Sequence, residues 1–307
     1  MDDASDTGGP LWPSSSTHIE RWVLPSLSHL NSLRENGFNR ALERIRSTKN
    51  DVKLPTFEEE LWLLRFYTIQ LSRFIAANHM KDCVKETALA YFNRFYIRRS
   101  MLEHDPRVIM FSCVTLAIKL EDVWRNYYID KLLGAVDGLN VLRVFEQEST
   151  VCDALDFNFL IIHTSDTMHV LRMRCIEYIK ETLGIDDIIM GEHLGILLSV
   201  CTAAEKDCVV MHEVPELIFV YTPTQLAVGA FSRHCKAKLG SLISFDGFLL
   251  KKLLKDDRSK LTLLTDTINR IVECYDKHFA SRSALENEQQ KAGEILDMYL
   301  ALYSDTK

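Results

Sequence analysis

Four groups of residues have types that chemistry could use, and each also has an ordinary structural reading. The neighbours Glu121 and Asp122 could share acid–base work, but a solvated helix end explains them better. His163 and His169 stand six apart with no cysteine or carboxylate at ligand spacing, so hydrogen-bonded or exposed imidazoles are expected rather than a metal centre. Arg94, Arg98 and Arg99 lie beside Tyr91, Phe92, Phe95 and Tyr96. That mixture fits a phosphate or nucleic-acid patch, or, as the simpler reading, an aromatic core face with a basic solvent edge. The fourth group is a single cation. Lys119 nearly closes the run Val108–Leu120, where almost every other side chain is hydrophobic. Such a helix sits at the centre of a bundle, so its lysine must snorkel to solvent or be used by something else. No H-E-x-x-H, P-loop, G-x-G-x-x-G or G-x-S-x-G signature occurs, and "CIEYIK" and "EKDC" place no nucleophile beside a base. An enzyme is disfavoured, and neither a cofactor nor a metal is expected.

The elements that must position these residues read as helices. Thr56 and Glu59 form a capping box ahead of "FEEELWLLRFYTIQLSRF". In the next segment Val84, Ala88, Tyr91 and Phe95 share a face, and Asp105 with Pro106 opens the apolar run. A short element around "YYIDKLLGA" and a helix over "LNVLRVFEQESTVCDALDF" follow. The second half repeats the order of long, long, buried, short and long, with Thr222 and Pro223 opening its apolar helix. Leu261, Leu264, Ile268 and Ile271 fall on one side of its last helix. Ser283 and Glu286 read as the capping box of a separate terminal helix. Near the N-terminus Leu27, Leu30 and Leu33 form a stripe that Gly37 is expected to bend or interrupt.

The expected fold is therefore all-α, with two tandem five-helix repeats and extra N- and C-terminal helices. Its units are a disordered polar tail over 1–17, a helical segment over 18–52, repeats over 53–162 and 163–280, and a helix over 281–307. The 307 residues carry a net charge of −7, which argues against direct nucleic-acid binding. The eight cysteines form no C-x-x-C pair and read as reduced core residues of an intracellular protein. The acidic start does not read as a signal peptide, and no apolar run is long enough to span a membrane.

"ALAYFNRFY", "HDPRVIMFSCVTLAIKLED" and "VFEQESTVCDALDFNFLIIH" resemble the second, third and fifth helices of the cyclin box, in order and spacing. "STHIERW" with Trp22, the first box helix and "YTPTQLA" resemble the cyclin H branch of that family; the likeness covers roughly residues 15 to 275. It implies a non-catalytic regulatory subunit of a cyclin-dependent kinase of the CDK-activating type. A RING-domain assembly subunit and the components of transcription factor IIH are implied as further partners, and the nucleus as the location. Another transcriptional cyclin, of the C, K or T kind, is the second reading. A IIB-type general transcription factor on the same fold is the third, disfavoured by the acidic balance and the missing zinc ribbon.

By that resemblance Lys119 pairs with Glu148, nine residues before Phe157, and the two grip the kinase backbone. Leu116, Leu120, Phe157 and Phe159 would seat a kinase helix, with ordinary core packing as the alternative, above all for Phe157. Many cell-cycle cyclins join their first two helices by a buried arginine–aspartate pair. Arg65 could supply the arginine, but Asn93 stands at the second position, so only a hydrogen bond is expected there. Motif-based substrate recruitment is not carried over. Lys236, 117 residues after Lys119, reads as a coincidence of the repeat.

Overall fold

The structure, a computed structural model, describes residues 16–48, 53–185 and 187–303. The expected tail lies outside them, apart from its last two residues. The described residues are α-helical with no strand, in fourteen α-helices. Two helices come first, the short α1 (Thr17–Trp22) and the long α2 (Leu27–Thr48). The first repeat follows as α3 (Phe57–Ala77), α4 (Asp82–Arg98), α5 (Pro106–Leu120), α6 (Ile129–Gly134) and α7 (Val141–Ala154). The second is α8 (Thr164–Leu183), α9 (Asp187–Met211), α10 (Pro215–Val220), α11 (Pro223–Leu239), α12 (Phe245–Phe248) and α13 (Arg258–Asn287); α14 (Gln289–Tyr303) ends the described chain. The inserted α10 has no helical counterpart in the first repeat.

Local signals place the helix starts. Thr56 and Glu59 exchange both bonds of a capping box, as do Thr222 and Gln225, while Asp105 accepts from the Arg107 and Val108 amides. Behind these caps, α4 and α5 are buried on nearly all sides, and α11 plays the same part in the second repeat, packed on α8, α9 and α13. One continuous apolar core runs through both repeats.

Two expectations are corrected here. Gly37 does not interrupt α2, which runs unbroken. A Cβ at Gly37 would stand 3.0 Å from the Arg98 backbone, so the glycine permits the close crossing of α2 over the end of α4. Ser283 and Glu286 open no helix. They lie inside α13, where the Ser283 carbonyl accepts from Asn287 and Glu286 pairs with Arg282 at 3.0 Å, so the spacing that mimics a cap serves the helix interior.

Candidate functional site

The site is built at the parallel-running ends of α5 and α7. Small hydroxyls let the two helices approach: Ser112 donates to the Val144 carbonyl at 2.7 Å, and Thr115 donates to Glu148 at 2.6 Å. One turn on, Lys119 Nζ reaches both oxygens of Glu148, at 2.7 and 2.6 Å. The Phe145 ring lies 5.6 Å from the same ammonium. Lys119 sits in the last turn of α5, where the helix dipole favours a cation. Its side chain is 44% exposed against 18% for Glu148, so the pair is held from below and open above. It can offer one cationic donor and one anionic acceptor, two or three ångströms apart, to another molecule's backbone.

Around this pair the apolar residues divide. Leu120 and Phe157 are 44% and 64% exposed, and Phe157 takes a left-handed backbone conformation, φ 55°, in the turn that closes α7. Phe157 packs edge-on to Phe159 at 6.0 Å, and Phe159 packs on Tyr91, whose hydroxyl donates to the Phe159 carbonyl at 2.6 Å. Phe157 is therefore no core residue, contrary to its packing alternative. Leu116 is buried and supports the surface from within rather than forming it. Sequence reasoning missed Trp124 and Tyr128, which are 50% and 76% exposed on the segment after α5. Aromatic residues in a short polar connection were the available signal.

Beneath the site an ionic hub ties the two repeats together. Glu121 accepts from Thr87 at 2.5 Å and lies 3.3 Å from His163, whose other ring nitrogen is 2.9 Å from Glu86. Burial opposes a charge on His163, but Glu121 and Glu86 outweigh it and lift the imidazole to about 10. Burial also works against ionised Glu86, yet His212, His163 and Thr164 hold it down at about 2. This corrects one expectation, since Glu121 is no solvated helix end although Asp122 is exposed, and His163 is hydrogen-bonded as expected, with two carboxylates for company. His169 does lie at the surface, beside Arg172 at 3.0 Å. Among the described residues no cluster is suited to hold a metal ion, and no helix is long and apolar enough to cross a membrane.

The flanking positions fall out differently from expectation. Arg65 does not meet Asn93. Asn93 is fully buried, donates to the Leu89 carbonyl at 2.9 Å and accepts from Thr68 at 3.5 Å. A neutral amide in that site offers no countercharge to a guanidinium, so Arg65 stays at the rim and pairs with Glu216 of α10 at 3.0 Å. Arg94, expected at a solvent edge, is buried with its guanidinium 4.7 Å from the Trp22 ring, and burial lowers it to about 9. Trp22 thus docks α1 onto α4. The buried His18 ring is driven down to about 2, chiefly by desolvation, and its neutral Nδ1 accepts from the Ile162 amide at 2.9 Å. Lys236 stands over Phe245 at 5.4 Å, as Lys119 stands over Phe145, but no carboxylate among the described residues closes on it.

No family model matches the chain. Cyclin-H1-1 of Arabidopsis thaliana is 28% identical over 222 residues, 71% of this chain and 62% of that protein. Cyclin-H of Xenopus laevis is 34% identical over 162 residues, 48% of this chain and 49% of that protein. These matches support a cyclin H-like cyclin. The chain spans about half to three fifths of the length of those two relatives. A chain in the solved CAK complex of Chaetomium thermophilum, with ATP-γ-S bound, superposes with a TM-score of 0.69 at 21% identity, covering 93% of this cyclin and 87% of that chain. That likeness shows a shared fold, and the two helical repeats here agree with it. Cyclin relatives are regulatory subunits.

Proposed function

We propose that this cyclin binds and activates a cyclin-dependent kinase of the CDK-activating type, and that it performs no catalysis itself. The observation that carries the reading is the Lys119–Glu148 pair, gripped from below by Thr115 and open to solvent beside Leu120 and Phe157. Charge-assisted donors and acceptors beside exposed aromatic and aliphatic anchors are what a helix of a partner kinase needs for seating. Holding that helix inward completes the kinase's internal lysine–glutamate pair and shifts its population toward the active state. Phosphorylation of other kinases' activation loops and of the RNA polymerase II tail would follow. A RING-domain assembly subunit, the components of transcription factor IIH and a nuclear location belong to the same proposal, supported by the cyclin H relatives and the likeness to a CAK-complex chain. Co-purification of the bound kinase tests it, followed by phosphotransfer to an activation-loop peptide and a polymerase-tail peptide. Transfer is expected from the pair and not from the cyclin alone. A kinase that recognises only other substrates would move the assignment to another transcriptional cyclin.

A further inference from the structure

A second concavity has chemistry that the kinase-binding reading does not use. It is a cavity of about 280 Å³ between α2, the end of α4 and the end of α7, and four arginines line it: Arg40 and Arg44 from α2, Arg98 and Arg99 from α4. Arg21 of α1 joins the rim through Asp156. Five guanidinium groups face three carboxylates, Glu103, Asp153 and Asp156, in a chain whose net charge is −7. The carboxylates leave much of that charge unspent. Arg44 is taken by Glu103 at 2.9 Å, but Arg21 and Arg98 share one oxygen of Asp156 at 3.6 Å each, long for charge-assisted hydrogen bonds. The Arg40 side chain donates only to the Arg98 carbonyl, at 3.4 Å, and the Arg99 side chain makes no hydrogen bond or ion pair among the described residues.

The dipole at the end of α4 accounts for cations at Arg98 and Arg99. It does not account for Arg21, Arg40 and Arg44, which other helices bring to the same place. Nor does a solubilising surface require arginine alone, and no lysine among the described residues lines the cavity. Guanidinium forks are the side chains that match tetrahedral phosphate oxygens two at a time. The close crossing at Gly37 holds α2 against the Arg98 backbone, so the arginines project from a braced base.

We propose that this pocket binds a phosphorylated serine or threonine of a protein partner, with Arg40 and Arg99 as its anchors. Arg21 and Arg98 turn from Asp156 to the phosphate. A nucleic acid is the poorer occupant. It needs a track of cations and faces on which bases stack, whereas this is one concavity with no aromatic lining among the described residues and three carboxylates around it. The pocket goes beyond the kinase-binding reading: Asp156 adjoins Phe157 in the chain, but none of the five arginines belongs to the kinase-seating surface, so phosphopeptide binding can be tested on the cyclin alone.

The test is fluorescence anisotropy with two degenerate peptide pools of equal length, one centred on phosphoserine or phosphothreonine and one unphosphorylated. The phosphorylated pool is expected to bind at least about tenfold tighter. Arg40→Ala with Arg99→Ala should erase that preference without moving the melting temperature, because neither side chain is buried. Asp156→Asn, which removes the competing carboxylate, should strengthen phosphopeptide binding, an outcome that a merely structural role for these residues does not produce. Equal binding of the two pools, a preference that survives the double arginine substitution, binding of inorganic phosphate without the peptide pool, or tighter binding of single-stranded RNA would each overturn the assignment.

Discussion

Replacing both charges at the ends of α5 and α7, with Lys119→Ala and Glu148→Ala in one chain, separates the cost to the cyclin from the cost to its complex. Within the cyclin the pair is half open, so its loss costs about 0.2–1 kcal/mol. The Thr115 hydroxyl also loses its Glu148 acceptor and is left with the Ser112 carbonyl at 2.9 Å, which adds at most about 1 kcal/mol. Together that is at most about 2 kcal/mol, against about 5–15 kcal/mol of stability for an ordinary domain. The variant therefore stays folded, with helicity unchanged and a melting temperature lower by a few degrees. The complex loses more. Truncating a charged group that hydrogen-bonds across a buried interface costs about 2–5 kcal/mol, or roughly 30- to 4,000-fold in Kd. Calorimetric titration of the partner kinase with wild-type and variant cyclin reads the affinity, and phosphotransfer to an activation-loop peptide at saturating cyclin reads the activation. A folded variant that binds and activates the kinase as the wild type does would refute the grip, and the exposed pair would then be an ordinary surface ion pair.

Gly37→Ala places a methyl group 3.0 Å from the Arg98 carbonyl carbon and oxygen, which are backbone atoms that cannot swing away; denaturant unfolding should show a loss of about 1–3 kcal/mol. His163→Ala removes the imidazolium shared by the buried Glu86 and half-buried Glu121 carboxylates, leaving them their hydroxyl donors Thr164 and Thr87, and should destabilise by about 3–5 kcal/mol in the same assay. Because His163 is raised to about 10, its contribution is complete below the unfolded value near 6.5 and fades as pH climbs toward 10, so wild type and variant should converge in stability at alkaline pH. Glu60 acts in the same sense over a more acidic window. Burial raises it to about 7 despite bonds from Ser100, Tyr299 and the Met101 amide, so the folded state holds a proton that the unfolded state releases near 4.5. Wild-type stability should fall between about pH 4.5 and 7, and Glu60→Gln should flatten that slope in urea titrations; an unchanged slope would place the titrating group elsewhere.

How much of this was legible in the sequence depended on how far apart the partners lie along the chain. Thr56 with Glu59, Asp105 with Pro106 and Thr222 with Pro223 act within one helical turn, and each marked a real helix start. The same local signature misled at Ser283 and Glu286, because three-residue spacing also suits a helix interior whose glutamate pairs with Arg282. Arg94 was placed at a solvent edge because its burial depends on Trp22, far away in the chain. Glu121 was placed in solvent because its donors, Thr87 and His163, come from other helices. Lys119 and Glu148 are 29 residues apart, and only the resemblance to a family paired them in advance.

The misread Glu121 bears on the Lys119–Glu148 pair. Lys119 and Glu121 are two residues apart at the end of one helix, so they cannot share a face. Glu121 turns inward to Thr87 and His163, where the charge of the imidazolium compensates for its partial burial. With that residue anchored and Asp122 taking a left-handed backbone conformation at φ 50°, α5 stops at Leu120, and Lys119 and Leu120 are left facing out. The hub that joins the two repeats thereby also sets the orientation of the exposed pair. Loosening it at His163 should disturb the site at Lys119 even though the imidazole never touches that lysine.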